Sequence, residues 1–317
     1  VPAASRGRVF FARRFVSEPT PAAFPPNALT VAGIDPSGGA GIYADLKTFS
    51  ALGAYGTGVV AALTAQNTQA VTGVHGVPPE FVRLQLDTLF ADVAIVTAKI
   101  GMLGTAPIAR AVAEGLAAPL SGGGLAHLVV DPVMVAKSGD ALLDRDAIAT
   151  LVEAVLPLAT VITPNLPEAG VLLDARPPDS LREMHRFAER LRRLLRDDGR
   201  RWVLVKGGHL PGDAVDLLHD GDRMIELPAP RIATKNTHGT GCTLSAAIAA
   251  LLPRAADVPE AVRVAKAWLT EAIRRSGELN VGKGHGPVHH FHAWWGTPAG
   301  EAAAAQGRFG RFGREQG

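Results

Sequence analysis

The stretch LTVAGIDPSGGAGIYADLKTFSALGAYGTGVVAALTAQ, Leu29–Gln66, decides the fold class. It opens on an apolar run, LTVAGI (29–34), and passes through a glycine-rich turn. Ile42, Leu46 and Phe49 then recur on one helical face before a second apolar run, GVVAALTA (58–65). Short apolar runs bounded by turns read as strands buried on both faces, and a helical connector between two of them makes a βαβ unit. The alternation continues with VAIVTAKI (93–100), HLVVDPVM (127–134), TVITPN (160–165) and RWVLVKGG (201–208), while Phe81, Leu84 and Leu89 mark a later helical face. The pattern predicts an α/β fold with a mostly parallel central sheet and helices on both faces. Residues 214 to 228, AVDLLHDGDRMIELP, depart from it. Two short runs flank Asp220-Gly221-Asp222, which predicts a small antiparallel hairpin at a sheet edge.

The 317 residues are 47% hydrophobic and 20% charged, enough apolar material for the core of one large domain. The net charge of +2 is concentrated at the ends: residues 1–26 carry +3 and residues 296–317 carry +1, which leaves −2 on the body. A body of that sign is not built to track a phosphate backbone, so no nucleic-acid partner is expected. No apolar run is long enough to span a bilayer, and no membrane partner is expected either. The single cysteine rules out an intramolecular disulfide and fits a reducing, cytoplasmic setting. Residues 1–26, rich in Pro, Ala, Ser and Arg, read as a disordered or targeting-like extension, and 296–317, with its RFGRFG repeat, as a disordered tail. The domain is expected to be 27–295.

Polar residues gather where the predicted strands end: Asp35 to Gly41, Gln66-Asn67, Asp131, Asn165 to Glu168, and Lys206. Open α/β sheets bind ligands at such ends, so one crevice is expected to collect them. Gly39-Ala40-Gly41-Ile42-Tyr43-Ala44 matches a relaxed dinucleotide fingerprint. Residues 46–79 contain no Asp or Glu to hold a ribose, and the dehydrogenase reading is dropped. Gly239-Thr240-Gly241-Cys242 leads into an alanine-rich helix expected to run to Pro253. Its free amides suit an anion, with Lys206 or Lys235 as the cationic partner. A thiol at that helix start is expected to have a lowered pKa and to accept a proton near neutral pH. Asn165 and Glu168, three apart, read by spacing first as a capping pair and only second as oxygen ligands for Mg²⁺. His289, His290 and His292, beside Trp294 and Trp295, read as packing groups of a docked terminal segment rather than a metal site.

Eight separated segments carry a likeness: AGIDPSGGAGIYADLKTFSALGAYG (32–56), AQNT (65–68), AKIGML (98–103), DPVMVAKSGD (131–140), ITPNLPEA (162–169), VKGGH (205–209), NTHGTGCTLSAAIAA (236–250) and GPVHHFHAWW (286–295). In this order they resemble the hydroxymethylpyrimidine/phosphomethylpyrimidine kinase family of thiamine biosynthesis, in the ribokinase superfamily, over about residues 27–295. The resemblance implies a ribokinase-like fold and two successive phosphorylations by ATP and Mg²⁺, of 4-amino-5-hydroxymethyl-2-methylpyrimidine and then of its monophosphate. It implies an anion hole at Gly239, Thr240 and Gly241 with Cys242 as proton acceptor, and an acceptor pocket of Gln66, Asp45, Gly33 and Met102. Lys206, Asn165 and Glu168 would serve the nucleotide, and Asp131 with Glu168 the metal. A homodimer is a further implication, and a pyridoxal kinase or a non-catalytic pyrimidine sensor are the rival readings. Ile34 and Tyr43 depart from the family's common Ser/Thr and Gln.

Overall fold

A computed structural model describes residues 24–134, 145–198 and 201–298. The expectations for the two tails fall almost wholly outside these residues, as does the end of DPVMVAKSGD. Among the described residues nine strands form one sheet: β1 (Asn27–Ile34), β2 (Tyr55–Gln66), β3 (Val71–Gly76), β4 (Thr97–Ile100), β5 (His127–Val130), β6 (Val161–Ile162), β7 (Trp202–Val205), β8 (Ala214–His219) and β9 (Met224–Ala229). Their spatial order is β3-β2-β1-β4-β5-β6-β7-β8-β9. The six strands from β2 to β7 are parallel, and the departures lie at the edges. There β3 runs antiparallel to β2, and β8 and β9 form the expected hairpin against β7. Asp220 closes the hairpin turn by accepting from the Asp222 and Arg223 amides at 3.0 and 2.7 Å.

The α-helices among the described residues cover the sheet: α1 (Gly41–Ala51), α2 (Pro79–Phe90), α3 (Ala106–Ser121), α4 (Arg145–Thr150), α5 (Leu166–Leu172), α6 (Leu181–Arg192), α7 (Thr240–Leu251) and α8 (Val258–Arg274). On one face, Phe49 of α1, Leu244 to Ala250 of α7 and Ala261 to Ala272 of α8 pack on the sheet. On the other, Val82 and Leu86 of α2, Ile108 to Leu116 of α3, Leu166 of α5 and Met184 to Leu191 of α6 form the larger core. α7 is apolar all round because it lies between the sheet and its neighbours α1 and α8. Its alanines let those elements approach closely. The expected face of α2 is corrected: Phe81 and Leu84 are 52% and 55% exposed, while Val82 and Leu86 are fully buried. Both phases fit a helical period, and packing against α3 and β2 selects the second.

The chain places β2 on one side of β1 and β4 on the other, which opens a crevice at the carboxyl ends of the central strands. Asp35, Gln66, Gly101-Met102, Asp131, Thr163 and Lys206 each lie at or just past such an end. The segment after α8 is docked, as expected. Gly286 accepts from the His238 amide, His289 N–H donates to Ala272, and His290 pairs with the Thr243 hydroxyl at 3.1 Å. Burial pushes His290 down to about 3, so it sits neutral in the core. Trp294 and Trp295 lie on its outside, roughly half exposed. Among the described residues no helix is long and apolar enough to cross a membrane.

Candidate active site

Two glycine loops meet at the crevice. The first, between β1 and α1, is organised by the buried carboxylate of Asp35. It accepts from the Ser37 amide (2.9 Å), the Ser37 hydroxyl (2.9 Å) and the Ala40 amide (3.0 Å). The second, ahead of α7, sends His238 to the same carboxylate, with its Nε2 at 2.7 Å from Asp35. Burial would raise the Asp35 pKa, but the bonds from His238 and Ser37 hold it below the ordinary carboxylate range. Gly239 has φ +74°, and a Cβ there would overlap the carbonyl of Gly39. The glycines of the first loop therefore serve the close approach of two loops rather than a dinucleotide. Gly239 is also the N-cap of α7, and no side chain caps that helix; the Thr240 amide donates to the Thr237 carbonyl at 3.3 Å, and the Gly241 and Cys242 amides follow it without a side-chain cap.

Beside this helix start lies an ion cluster. Lys206 Nζ donates to Asp131 Oδ1 at 2.8 Å and stands 3.9 Å from Glu168 Oε2. The Thr163 hydroxyl donates to Asp131 Oδ1 at 2.9 Å. A Cβ on Gly241 would lie 3.3 Å from Lys206 Nζ and 3.4 Å from Asp131 Oδ2, so the anion loop borders the cluster directly. Lys235, the other candidate cation, is exposed, and its carbonyl accepts from His285. Burial would raise Asp131, but Lys206 and Lys99 hold it low; burial pushes Glu168 up to about 7 despite Lys206. Asn165 and Glu168 do form the capping box of α5: Asn165 Oδ1 accepts from the Glu168 amide at 2.9 Å, and Glu168 Oε2 accepts from the Asn165 amide at 2.7 Å. The cap fixes the Glu168 carboxylate facing Lys206, so the two expected roles are compatible in one geometry. With Asp45 and its partner Lys99 counted, three buried carboxylates face two lysines, and ionised Glu168 leaves a negative surplus that a divalent cation suits.

On the acceptor side, a Cβ on Gly33 would come within 2.6 Å of the Met102 methyl, so these two expected pocket residues are adjacent. Gln66 ends β2, with its Oε1 accepting from the Thr64 hydroxyl, which also bonds the Ile34 carbonyl. Asp45 is fully buried. Its Oδ2 accepts from Thr30 at 2.6 Å and from Lys99 at 2.8 Å, while its Oδ1 has no hydrogen-bond partner. Thr30, Lys99, Thr163 and His238 were not singled out from sequence as site residues. The available signal was Lys99, a lysine inside the all-buried strand TAKI. Tyr43, by contrast, is 43% exposed. A groove of 430 Å³ between α2 and α3, lined by Glu80, Arg83, Arg110 and Glu114, contributes nothing to this constellation.

Cys242 occupies the first turn of α7, and its sulfur is hydrogen-bonded by the Gly41 backbone. The expected lowering of its pKa is corrected. Burial of the sulfur, together with the nearby charges of Asp45 and Asp131, pushes the thiol above the usual cysteine range; Lys99 and the Gly41 bond oppose this without reversing it. A neutral thiol is the resting form at pH 7, and its thiolate is a strong base. Alkylation by iodoacetamide should be slow at pH 7 and climb about tenfold per pH unit from there until the raised pKa of the thiol is reached, since only the thiolate reacts. Mass spectrometry reads this without ambiguity because Cys242 is the only cysteine. A rate already level at pH 7 would contradict the raised pKa.

A family model described as phosphomethylpyrimidine kinase matches residues 35–289. A hydroxymethylpyrimidine/phosphomethylpyrimidine kinase of Escherichia coli is 54% identical over 270 residues, covering 85% of this chain and 98% of that protein. Among solved structures, the phosphomethylpyrimidine kinase of Clostridium difficile superposes with a TM-score of 0.67 at 40% identity, covering 78% of this chain and 99% of that one. The ADP complex of Bacillus subtilis pyridoxal kinase superposes with a TM-score of 0.76 at 36% identity, covering 85% and 98%.

Proposed function

Because this chain belongs to the phosphomethylpyrimidine kinase family, with its ribokinase-like fold, we propose that the crevice between β1 and α7 carries out the family's phosphoryl transfers with the residues described above. The reaction is ATP-dependent phosphorylation of 4-amino-5-hydroxymethyl-2-methylpyrimidine and then of its monophosphate, in thiamine biosynthesis. The observation that carries the site assignment is the meeting of the uncapped start of α7, Lys206 and Cys242 at the carboxyl ends of the central strands.

The amides of Gly239, Thr240 and Gly241 would receive the charge developing on the transferred group, with Lys206 beside them. Mg²⁺, held through Asp131 and Glu168 directly or through water, would neutralise charge on the ATP oxygens. Asn165 acts by fixing Glu168. Gly33 and Met102 line the ring's apolar side, and Asp45 and Gln66 face its polar edge. Cys242, as thiolate, takes the hydroxyl proton in the first step. A side-chain amide both donates to a ring nitrogen and accepts from an exocyclic amine, which is what Gln66 offers. Gln66→Ala should weaken the pyrimidine by about 1–3 kcal/mol and leave ATP affinity nearly unchanged. Calorimetric titration with each ligand checks this, and equal losses for both would remove Gln66 from the acceptor site.

The structural likeness to a pyridoxal kinase keeps that substrate as a second reading. Coupled assays with the pyrimidine and with pyridoxal, at equal ATP and Mg²⁺, separate the two: a higher kcat/KM for pyridoxal would overturn the assignment. We also propose a homodimer. Leu63 and Val74 on the β2–β3 ribbon are 46% and 54% exposed, and the outer strand β3 is exposed almost throughout. Such an edge is suited to cover by a second copy. Sedimentation equilibrium should give twice the chain mass, and a monomer mass at micromolar concentration would contradict it.

A further inference from the structure

The turn that follows Gln66 is tied across the crevice to a segment more than 200 residues further along. Asn67 shapes the turn by accepting from the Gln69 and Ala70 amides at 2.8 and 3.1 Å. Thr68 at its tip then accepts two bonds from the strap Gly282–Gly286: the Gly284 amide reaches its hydroxyl at 3.1 Å, and the His285 amide reaches its carbonyl at 3.0 Å. A Cβ on Gly282 or Gly284 would overlap Thr68, so the strap is glycine where it crosses the turn. The strap's other side meets the loop ahead of α7. His285 Nδ1 lies 3.1 Å from the Lys235 carbonyl, and the Gly286 carbonyl accepts from the His238 amide at 3.0 Å. His238 in turn precedes Gly239 and bonds Asp35.

We infer that Thr68 is a positioning residue, and that through the glycine strap it couples acceptor binding at Gln66 to the order of the phosphoryl-binding loop at His238–Gly241. The inference rests on the assignments of Gln66 and of that loop made above. Asn67, Gln69 and Ala70 around the tip are exposed, so little apolar packing holds the turn. Its position depends on its own Asn67 bonds and on the strap. An acceptor that restrains Gln66 restrains Thr68, and with it the strap and the loop. A nucleotide then meets a loop already ordered, and linkage makes the effect reciprocal.

The test is calorimetric binding of the pyrimidine to the full chain, with and without saturating Mg²⁺ and a non-hydrolysable ATP analogue. In the unaltered protein the analogue should tighten the pyrimidine by at least about fivefold. Gly284→Ala should bring that ratio close to one while changing pyrimidine affinity without nucleotide by less than about threefold, well below the loss expected from a lost acceptor contact. Thr68→Val, which keeps the side chain's shape but not its oxygen, should lower the ratio, and Thr68→Ser should keep it. Thr68→Val carries the test if Gly284→Ala does not fold. A ratio of one in the unaltered protein, or one that survives both Gly284→Ala and Thr68→Val, overturns the coupling. Failure of the unaltered protein to bind the pyrimidine at all overturns the acceptor assignment and this inference with it.

Discussion

Lys206→Met is expected to slow both phosphorylations by a factor on the order of 10² to 10³, the usual cost of removing one preorganised charge partner from a transferring group. Lys206 is the cation shared by Asp131 and Glu168, and a Cβ on Gly241 would lie 3.3 Å from its Nζ. Its own pKa is held above the ordinary lysine value: burial alone would lower it, but the two carboxylates more than offset that. The charge is therefore present across the working pH range. Without it the two carboxylates repel the phosphates that approach the α7 amides. Both acceptors receive the same phosphoryl group, so neither step escapes. Steady-state rates on the alcohol and on the monophosphate check this, with pyrimidine binding to the variant as the control for folding. A variant slowed on one acceptor only would place Lys206 with that acceptor instead of with the phosphoryl group.

Cys242→Ala is expected to behave differently. In the first step an alcohol must lose its proton as the new bond forms, and a positioned base contributes on the order of 10² to 10⁴ in rate. In the second, the acceptor is a phosphate monoester already ionised at neutral pH, its second pKa being about 6. The variant should therefore lose the hydroxymethyl step and keep the monophosphate step within a few-fold. Chromatography of the products shows this directly: supplied monophosphate should still become diphosphate, while supplied alcohol accumulates unreacted.

The parallel strands were legible because strands buried on both faces read as nearly continuous apolar runs, and the edge hairpin because Asp220-Gly221-Asp222 punctuates it. Strand β3, VTGVHG, escaped for the converse reason. It is exposed at almost every position, so its sequence carries no alternation, and pairing with β2 defines it. The face of α2 was misread because Phe81 and Leu84 satisfy the helical period as well as Val82 and Leu86 do; the neighbouring elements choose between them. Strand ends announced Gln66, Asp131, Asn165, Glu168 and Lys206. Thr30, inside a buried strand, carried no signal, whereas Lys99 did, as a lysine among buried strand residues. The Cys242 thiol was misjudged from its helix terminus, a local feature, whereas the carboxylates of Asp45 and Asp131 that help raise its pKa arrive from other parts of the chain.

The central claim, that Cys242 is the general base of the first transfer alone, is tested most directly by one pair of pH profiles. Single-turnover rates would be measured on the alcohol and on the monophosphate, with the unaltered protein and with Cys242→Ala, at saturating Mg²⁺-ATP. A thiol whose pKa lies above the usual range is mostly protonated at pH 7, so the thiolate fraction grows about tenfold per pH unit until that pKa is reached. The alcohol rate of the unaltered protein should follow that rise, Cys242→Ala should abolish it, and the monophosphate rate should show neither the rise nor the loss. Equal depression of both rates by Cys242→Ala, or an alcohol rate flat from pH 7 to 9, would contradict the account and leave Cys242 a structural residue at the start of α7.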